Sequence, residues 1–330
     1  MTAILILNWN GWKDTVECLR SLKALTTDEF FIMLGDNGST DDSIQRIKDF
    51  CLNESLSLLS FTLGREENIQ IEKRSIILYD LKENHGFARG NNLLMKYAWT
   101  LSPNSYLLLN NDTEVEPDFL SKLTDYQQKQ PDMKVLTPLI HYFCDKSLIW
   151  NAGGNLFWGL RKYHYADRPA SEVVEPKFIP CTFITGCALL CTPEVLQEDH
   201  TLFTERFFHG EEDFDFALRM KKKDVRMGCL VPSVIYHKVG RSVDRMGDKT
   251  SATYCYYLNR FVNLRHHLSP LSFWSFITLY FLYVVRLMHK NGLTYSQAIH
   301  FYKGVISESL NLDGVDKEKY FECVNRNYKN

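Results

Sequence analysis

Three groups of side chains have the types and spacing to do chemistry. In "YLLLNNDTEVEPDFL", residues 106–120, four apolar residues run into Asn110, Asn111 and Asp112, with Glu114, Glu116 and Asp118 behind them. Carboxylates and amides gathered at one point suit a hard divalent cation, Mg²⁺ or Mn²⁺, because such ions prefer oxygen ligands. Mg²⁺ commonly takes one or two protein carboxylates and completes its shell with substrate phosphates. Asp112 is the best-placed ligand, and Asn110, two residues earlier in an extended chain, points to the same side. An ordinary turn is the competing reading, since Asn, Asp and Pro are turn residues. Glu114, Glu116 and Asp118 fit the start of a helix near Pro117.

The second group is "HGEEDFDFALRM", where Glu211, Glu212, Asp213 and Asp215 crowd together between Phe207, Phe208, Phe214 and Phe216. Like charges this close raise at least one carboxyl pKa unless cations stand nearby. A general base is one use for such a group; a helix N-terminus stabilised by its dipole is the other. Third, His237 follows an apolar run in "VIYHKVGRS", as a structural histidine or as a metal ligand through one ring nitrogen. "LGDNGSTDDS" lacks the Lys-Ser/Thr pair of a phosphate loop and the glycine and glutamate spacing of an EF-hand.

These groups need elements to hold them. "AILILNW", "FFIMLGDN", "RSIILYDL" and "SYLLLNND" read as strands; "WKDTVECLRSLKAL", "STDDSIQRIKDF" and "GFARGNNLLMKYAWTL" read as the helices between them. Val16, Leu19, Leu22 and Leu25 mark the apolar face of the first helix. Strands without polar alternation imply an α/β fold, a mainly parallel sheet covered on both faces. In such folds ligands bind beyond the carboxyl ends of the strands. Asn8 and Asn10, Asp36 to Ser39, Asn84 to Gly86 and Asn110 to Asp112 all fall at that edge. Residues 51–74 read as an insertion on the second crossover, with no role assigned. Further on, "FIPCTFITGCALLCT" reads as a strand pair or a strand bent at Gly186. A helix is expected from Glu211 or Glu212, a strand to His237, and helical spacing from Tyr254 onward.

Net charge is -2 over 330 residues, which gives no argument for a nucleic-acid partner. Nine cysteines without a CxxC pair fit buried free thiols in a reducing, cytosolic compartment. The first residues lack the basic start of a signal peptide. The segment 271–288, "LSFWSFITLYFLYVVRLM", is slightly short for a membrane span and contains Arg286. Three readings stand: a core helix, a helix lying on a membrane surface, or a span.

Taken in order, "ILNWNGWKDTVECLRSL", "DNGSTDDS", "NHGFARGNN", "LLLNNDTEVEPDFL", "NAGG", "TGCALL", "ERFFHGEEDFDFALRM" and "HKVGRS" resemble the family 2 glycosyltransferases of the GT-A fold, over roughly residues 3–265. The bacterial branch described as rhamnosyltransferase-like, which builds surface polysaccharides, is the most similar. The resemblance implies a GT-A catalytic domain over 1–245, with a nucleotide-sugar half to about residue 120 and an acceptor half over 121–245. Residues 246–330 would form a C-terminal helical region of a cytoplasmic protein; the aromatic segment 271–288 is what makes contact with the inner face of the cytoplasmic membrane one of its readings.

The resemblance also implies roles. Asn8, Asn10, Asp36, Asn37 and Ser39 would line the nucleotide pocket; Asn84, Gly86, Arg89 and Asn92 would stand near the nucleotide and donor phosphates. "NND" replaces the family's DxD, so Asp112 matches the metal-binding aspartate, with Asn110 in the first position and Asn111 between them. Gly186 and Glu212 would face the acceptor, Asp213 would be the catalytic base, and His237 would face the metal or diphosphate. The implied reaction is inverting transfer from a nucleotide-diphosphate sugar, dTDP-rhamnose or a UDP-sugar, to a glycan or lipid-linked acceptor. A sugar nucleotidyltransferase would need a Gly-rich, basic loop near the N-terminus, and "ILILNWNGWKD" supplies none. A non-catalytic carbohydrate-binding protein would need no Asp112 and Asp213 together.

Overall fold

The computed structural model describes residues 1–64, 71–173, 177–239 and 249–326. In chain order, β1 (Thr2–Asn8), α1 (Trp12–Lys23), β2 (Phe30–Asp36), α2 (Ser43–Asn53), β3 (Leu58–Thr62), β4 (Ile76–Asp80), α3 (Gly86–Trp99) and β5 (Ser105–Leu109) make the first half. These strands pair in parallel in the order β3-β4-β2-β1-β5. Every residue of β2 and of β5 is buried, because helices cover both faces. Ile4 and Ile6 turn toward α1 and α2, where Leu19, Leu22, Ile47 and Phe50 wait. Ala3 and Leu5 turn the other way, toward Ala88, Leu94 and Met95 of α3. The alternation that sends side chains to opposite faces is therefore apolar on both.

The second half adds β6 (Thr113–Val115), α4 (Phe119–Lys129), β7 (Met133–Tyr142), β8 (Ile149–Asn151), β9 (Gly154–Phe157), β10 (Leu160–Tyr163), β11 (Phe178–Cys181), β12 (Ala188–Cys191), α5 (Glu212–Lys222) and β13 (Arg226–His237). The sheet continues from β5 as β12-β7-β13-β11, so it is mixed, with eleven strands among the described residues. β12 runs antiparallel to both β5 and β7, whereas β13 runs parallel to β7. β11 and β12 are two strands, but they do not pair with each other: β11 pairs with β13. Part of the 51–74 stretch is also structural, since α2 continues through Asn53 and β3 forms the parallel edge of the sheet. Residues 65–70 of that stretch, and Gly240 to Ser242 of "HKVGRS", lie outside the described residues.

Four helices follow: α6 (Lys249–His267), α7 (Pro270–Lys290), α8 (Tyr295–Asn311) and α9 (Lys317–Asn325). The starts of α7, α8 and α9 are capped in sequence. Ser269 precedes Pro270 and accepts from the Ser272 amide; Thr294 and Gln297 form a capping box; Asp316 accepts from the Lys319 amide. They share one apolar core with Phe207, Phe214 and Ala217 at the start of α5. α7 is long and apolar enough to cross a membrane by length and composition, but Phe273, Phe276, Ile277, Val284 and Met288 pack one of its faces into that core.

Candidate active site

Parallel pairing of β1 with β2 sets Asn8 beside Asp36. Asn8 Nδ2 donates to Asp36 Oδ2 at 2.7 Å, and Ser39 donates to the same carboxylate through its amide (2.9 Å) and its hydroxyl (2.7 Å). The Asn10 amide donates to Ser39 Oγ at 2.9 Å, and Asn10 Oδ1 accepts from the Thr40 amide at 2.8 Å. Thr15 ties Asn8 to Asn111: its hydroxyl donates to Asn8 Oδ1 at 2.8 Å and accepts from Asn111 Nδ2 at 2.9 Å. Asn8 and Asp36 are fully buried. The network locks the turns at the strand ends.

Above it lies a cavity of about 430 Å³, within the usual range for small-molecule sites. Of the residues singled out in the sequence, Asn37, Asn84, Gly86, Asn110, Asn111, Asp112, Gly186, Glu212 and Asp213 line it. Asn37 Nδ2 donates to Asn84 Oδ1 (3.1 Å) and the Gly86 carbonyl (3.2 Å), which shapes the loop before α3. Gly86 has φ +78°, and a Cβ there would lie 2.2 Å from the Phe208 carbonyl oxygen. Asn92 points elsewhere: it accepts from the Leu202 and Phe203 amides and donates to the Phe203 carbonyl. Arg89 is exposed, 3.9 Å from Glu205.

Asp112 ends the chain segment beyond β5. Pairing of β6 with β13 brings His237 opposite Thr113, and the Lys238 amide donates to the Asp112 carbonyl at 2.9 Å. His237 Nε2 thereby sits 3.2 Å from Asp112 Oδ1. Burial pushes the Asp112 carboxyl up, but His237 and Lys238 outweigh it and hold it below its ordinary value. Oδ1 is buried and makes no well-formed hydrogen bond; the His237 ring nitrogen at 3.2 Å is its charged neighbour, and a buried carboxylate oxygen without a good donor is costly. An imidazole and a carboxylate oxygen this close fit a divalent cation whose remaining ligands come from substrate. Among the described residues no three His, Cys, Asp or Glu side chains gather as a complete cage. Glu114 and Asp118 turn out to pair with Lys238 and Lys122, and Glu116 accepts from the Tyr236 hydroxyl; Asp118 occupies the N-cap of α4 without a side-chain bond to its amides.

The four acids at α5 are sorted by their cations. Glu211 is fully buried and held by Arg260, Nε to Oε2 at 2.9 Å and Nη2 to Oε1 at 2.8 Å, with Asn263 donating at 3.1 Å. Glu212 accepts from the Gly210 amide at 2.6 Å. Asp215 takes Arg219, His267 and the Thr204 hydroxyl, and sits low at about 2: burial raises it, but His267 and Arg219 win. Asp213 is pushed up, to about 6. Burial is the main cause; Arg161 opposes it, and Glu212 and Glu211 add to it. Its side chain is 18% exposed, toward the cavity, and Arg161 Nη1 lies 3.5 Å from Oδ1. A carboxylate near neutrality at a cavity wall is suited to accept a proton.

Sequence reasoning missed several contributors. Trp9 lines the cavity between the two asparagines of "NWN". Tyr320, Phe321, Val324 and Asn325 of α9 close the far wall, with Tyr320 and Phe321 packed on Phe208 at 5.3 and 5.7 Å. The Phe208 amide donates to the Val315 carbonyl and the Val315 amide to the Arg206 carbonyl, which pins α9 there. Arg161 and Arg260 carried no local signal; only their distant partners reveal them.

Solved structures similar to this chain are glycosyltransferases. Staphylococcus aureus TarS, in a complex with UDP-GlcNAc, is 14% identical with a TM-score of 0.54, over 98% of this chain and 81% of that one. A mannosyltransferase from Pyrobaculum calidifontis, in a complex with GDP-Man and Mn²⁺, is 11% identical with a TM-score of 0.52, over 94% and 75%. GalNAc-T7, with UDP, GalNAc and Mn²⁺, is 12% identical with a TM-score of 0.51, over 80% of this chain and 51% of that one. At such identities the likeness is one of fold, the GT-A fold. No curated protein matches the chain. The glycosyl transferase family 2 model matches residues 3–191, more than half of the chain, which therefore belongs to that family.

Proposed function

We propose that the protein is an inverting glycosyltransferase that moves a sugar from a nucleotide-diphosphate donor to a hydroxyl of a glycan or lipid-linked acceptor in surface polysaccharide synthesis. The observation that carries this reading is one cavity lined by both Asp112 and Asp213, the latter held near 6. The complexes of similar folds with UDP-GlcNAc and GDP-Man support a nucleotide-sugar donor. The sequence resemblance puts dTDP-rhamnose first and UDP-sugars beside it. All nine cysteines are free thiols, which suits a reducing cytoplasm.

Asn84, Asn110 and Asn111 line the space for the nucleotide and its phosphates, and Asn37 holds the loop beside them, above the locked Asn8–Asp36–Ser39 network. A Mg²⁺ or Mn²⁺ ion held by Asp112 and His237 would supply positive charge against the departing diphosphate. Asp213 is mostly ionised at pH 7 and accepts the proton of the acceptor hydroxyl. The acceptor oxygen forms its bond to the anomeric carbon as the bond from that carbon to the diphosphate oxygen breaks. Attack from the face opposite the leaving group inverts the configuration. Arg161 keeps Asp213 ionised and oriented, and Glu212 and Gly186 shape the acceptor side.

The test is a thermal-shift screen of dTDP-, UDP- and GDP-sugars with and without Mn²⁺, since a ligand of the native state raises apparent stability. The best donor is then incubated with candidate acceptors and the product's anomeric configuration read by NMR. A donor that shifts the transition and an inverted product are expected. No shift and no turnover with any donor, or a retained configuration, would refute the proposal.

A further inference from the structure

We infer that the outward face of α7, with the tip of the β9–β10 hairpin, docks on an anionic lipid bilayer. The inner face of α7 is committed to the core, and the Tyr302 hydroxyl donates to the Ile277 carbonyl at 2.6 Å. The outer face is exposed and mostly apolar, and its exposed Thr278 turns its hydroxyl back to the Trp274 carbonyl. Leu271 is 80% exposed, Leu282 68% and Leu279 66%, with Trp274 and Tyr283 about half exposed beside them. Leu271 and Trp274 are three apart, as are Leu279 and Leu282, and Leu279 and Tyr283 are four apart, so the five share the outer half of the helix, with exposed Thr278 among them. Single exposed apolar residues are ordinary, but five large ones on one side of a helix mark an interaction surface.

A second element, more than a hundred residues earlier in the chain, meets this helix. Phe157 and Trp158 at the hairpin tip are 72% and 42% exposed. Trp158 packs edge-on against Phe276 of α7, with ring centroids 5.9 Å apart. Gly159 (φ +78°) presses the turn onto α6 and α7, where a Cβ would meet Leu264 and Phe276. The hairpin thus meets α7 at Phe276, on its packed face, and leaves Phe157 and Trp158 exposed next to the helix.

Charge decides the occupant. α7 contains no acidic residue, and Arg286, His289 and Lys290 stand exposed at its C-terminal end. Apolar and aromatic residues flanked by cations are the composition of a helix lying in the headgroup region of an anionic bilayer. A second copy of this chain would set these cations against one another or against apolar surface. The packed inner face makes the contact peripheral and not spanning. Arg161 follows the hairpin tip and reaches Asp213, so docking would hold the strand that supports the base near the lipid surface. That consequence, delivery of a lipid-linked acceptor, rests on the proposed function; the docking itself does not.

The test is co-sedimentation of the full chain with phosphatidylcholine–phosphatidylglycerol vesicles, without donor or metal. Wild type is expected to pellet with mixed vesicles, and less with phosphatidylcholine alone. The double variant Leu279→Ser/Leu282→Ser should bind about 10-fold or more weakly with an unchanged melting temperature. Arg286→Glu/Lys290→Glu should lose the preference for the anionic lipid and keep the weak neutral binding. Wild type remaining in the supernatant at every lipid concentration would overturn the inference, as would either variant pelleting like wild type. A dimer in sedimentation velocity that the serine variant dissolves, without vesicle binding, would assign the face to self-association instead.

Discussion

Arg161 Nη1 lies 3.5 Å from Asp213 Oδ1, on a strand 52 residues away in sequence, and its guanidinium also covers Phe183 with 5.3 Å between the charge and the ring centre. The cation works against burial and against Glu211 and Glu212, and so keeps Asp213 from rising beyond about 6. Removing it in Arg161→Gln should raise the Asp213 pKa and move the acid limb of the kcat/KM–pH profile to higher pH. Arg161→Lys should restore part of the position. A variant whose profile only scales down, with its limb unmoved, would show that Arg161 merely supports the hairpin.

Asp213 itself is tested by Asp213→Asn, which keeps the shape and removes the proton acceptor. A positioned base is worth about 10²- to 10⁴-fold, so kcat should fall within that range while donor affinity, measured by titration calorimetry, stays near wild type. Full turnover in this variant would move the base elsewhere.

How far the sequence reached depends on the distance over which each side chain finds its partner. The strand–helix alternation is local, and so the sheet, its buried strands and the loops at their carboxyl ends, where the cavity lies, were legible, as was the start of α5. Partners across the sheet were not. Asn8, Asp36 and Ser39 look in sequence like groups free to bind a ligand, yet parallel register spends them on one another. Asn92 sits in a glycine-rich motif but bonds residues 202 and 203. Four adjacent acids read as one cluster, whereas Arg260 and Arg219 pair with Glu211 and Asp215, Arg161 stands by the raised Asp213, and Glu212 accepts from the Gly210 amide. The aromatic wall from α9 comes from 100 residues beyond the acids, with nothing local to announce it.

The pairing of Asp112 with His237 predicts a dependence on added metal. In Asp112→Ala the donor should bind with the same affinity with or without Mn²⁺, while wild type binds more tightly with it. His237→Ala should fall between the two, since one ligand remains. Identical metal enhancement in wild type and Asp112→Ala, by calorimetric titration, would contradict the assignment.

Arg260 is buried against Glu211 and also donates to the Gly159 carbonyl at 3.1 Å, with its charge 3.8 Å from the Phe214 ring centre. Truncating one partner of a buried pair leaves an uncompensated charge and costs about 3–5 kcal/mol. Arg260→Ala should lose that much in urea denaturation, and Arg260→Met/Glu211→Gln should recover a large part of it. Equal losses in the single and double variants would place the cost in the Gly159 contact and the packing instead of the charge.

The raised Asp213 also predicts a stability that depends on pH. An ordinary aspartate ionises near 3.8, and in the folded protein Asp213 does so near 6. Between those values the native state holds a proton that the unfolded chain has lost, so stability falls as pH rises through the window and levels off above it. The gap between 3.8 and about 6 corresponds to about 3 kcal/mol at pH 7–8. Asp213→Asn cannot ionise and escapes that loss; Arg161 lacks its counter-charge equally in the variant and in protonated wild type, so the comparison is fair. The inactive variant should therefore match wild type near pH 4 and exceed it by up to about 3 kcal/mol at pH 8 in urea unfolding. On the proposed function, the same burial that would ready Asp213 to take a proton weakens the fold near pH 7. A difference that stays constant from pH 4 to 8 would show that the charge at 213 is not held at a cost.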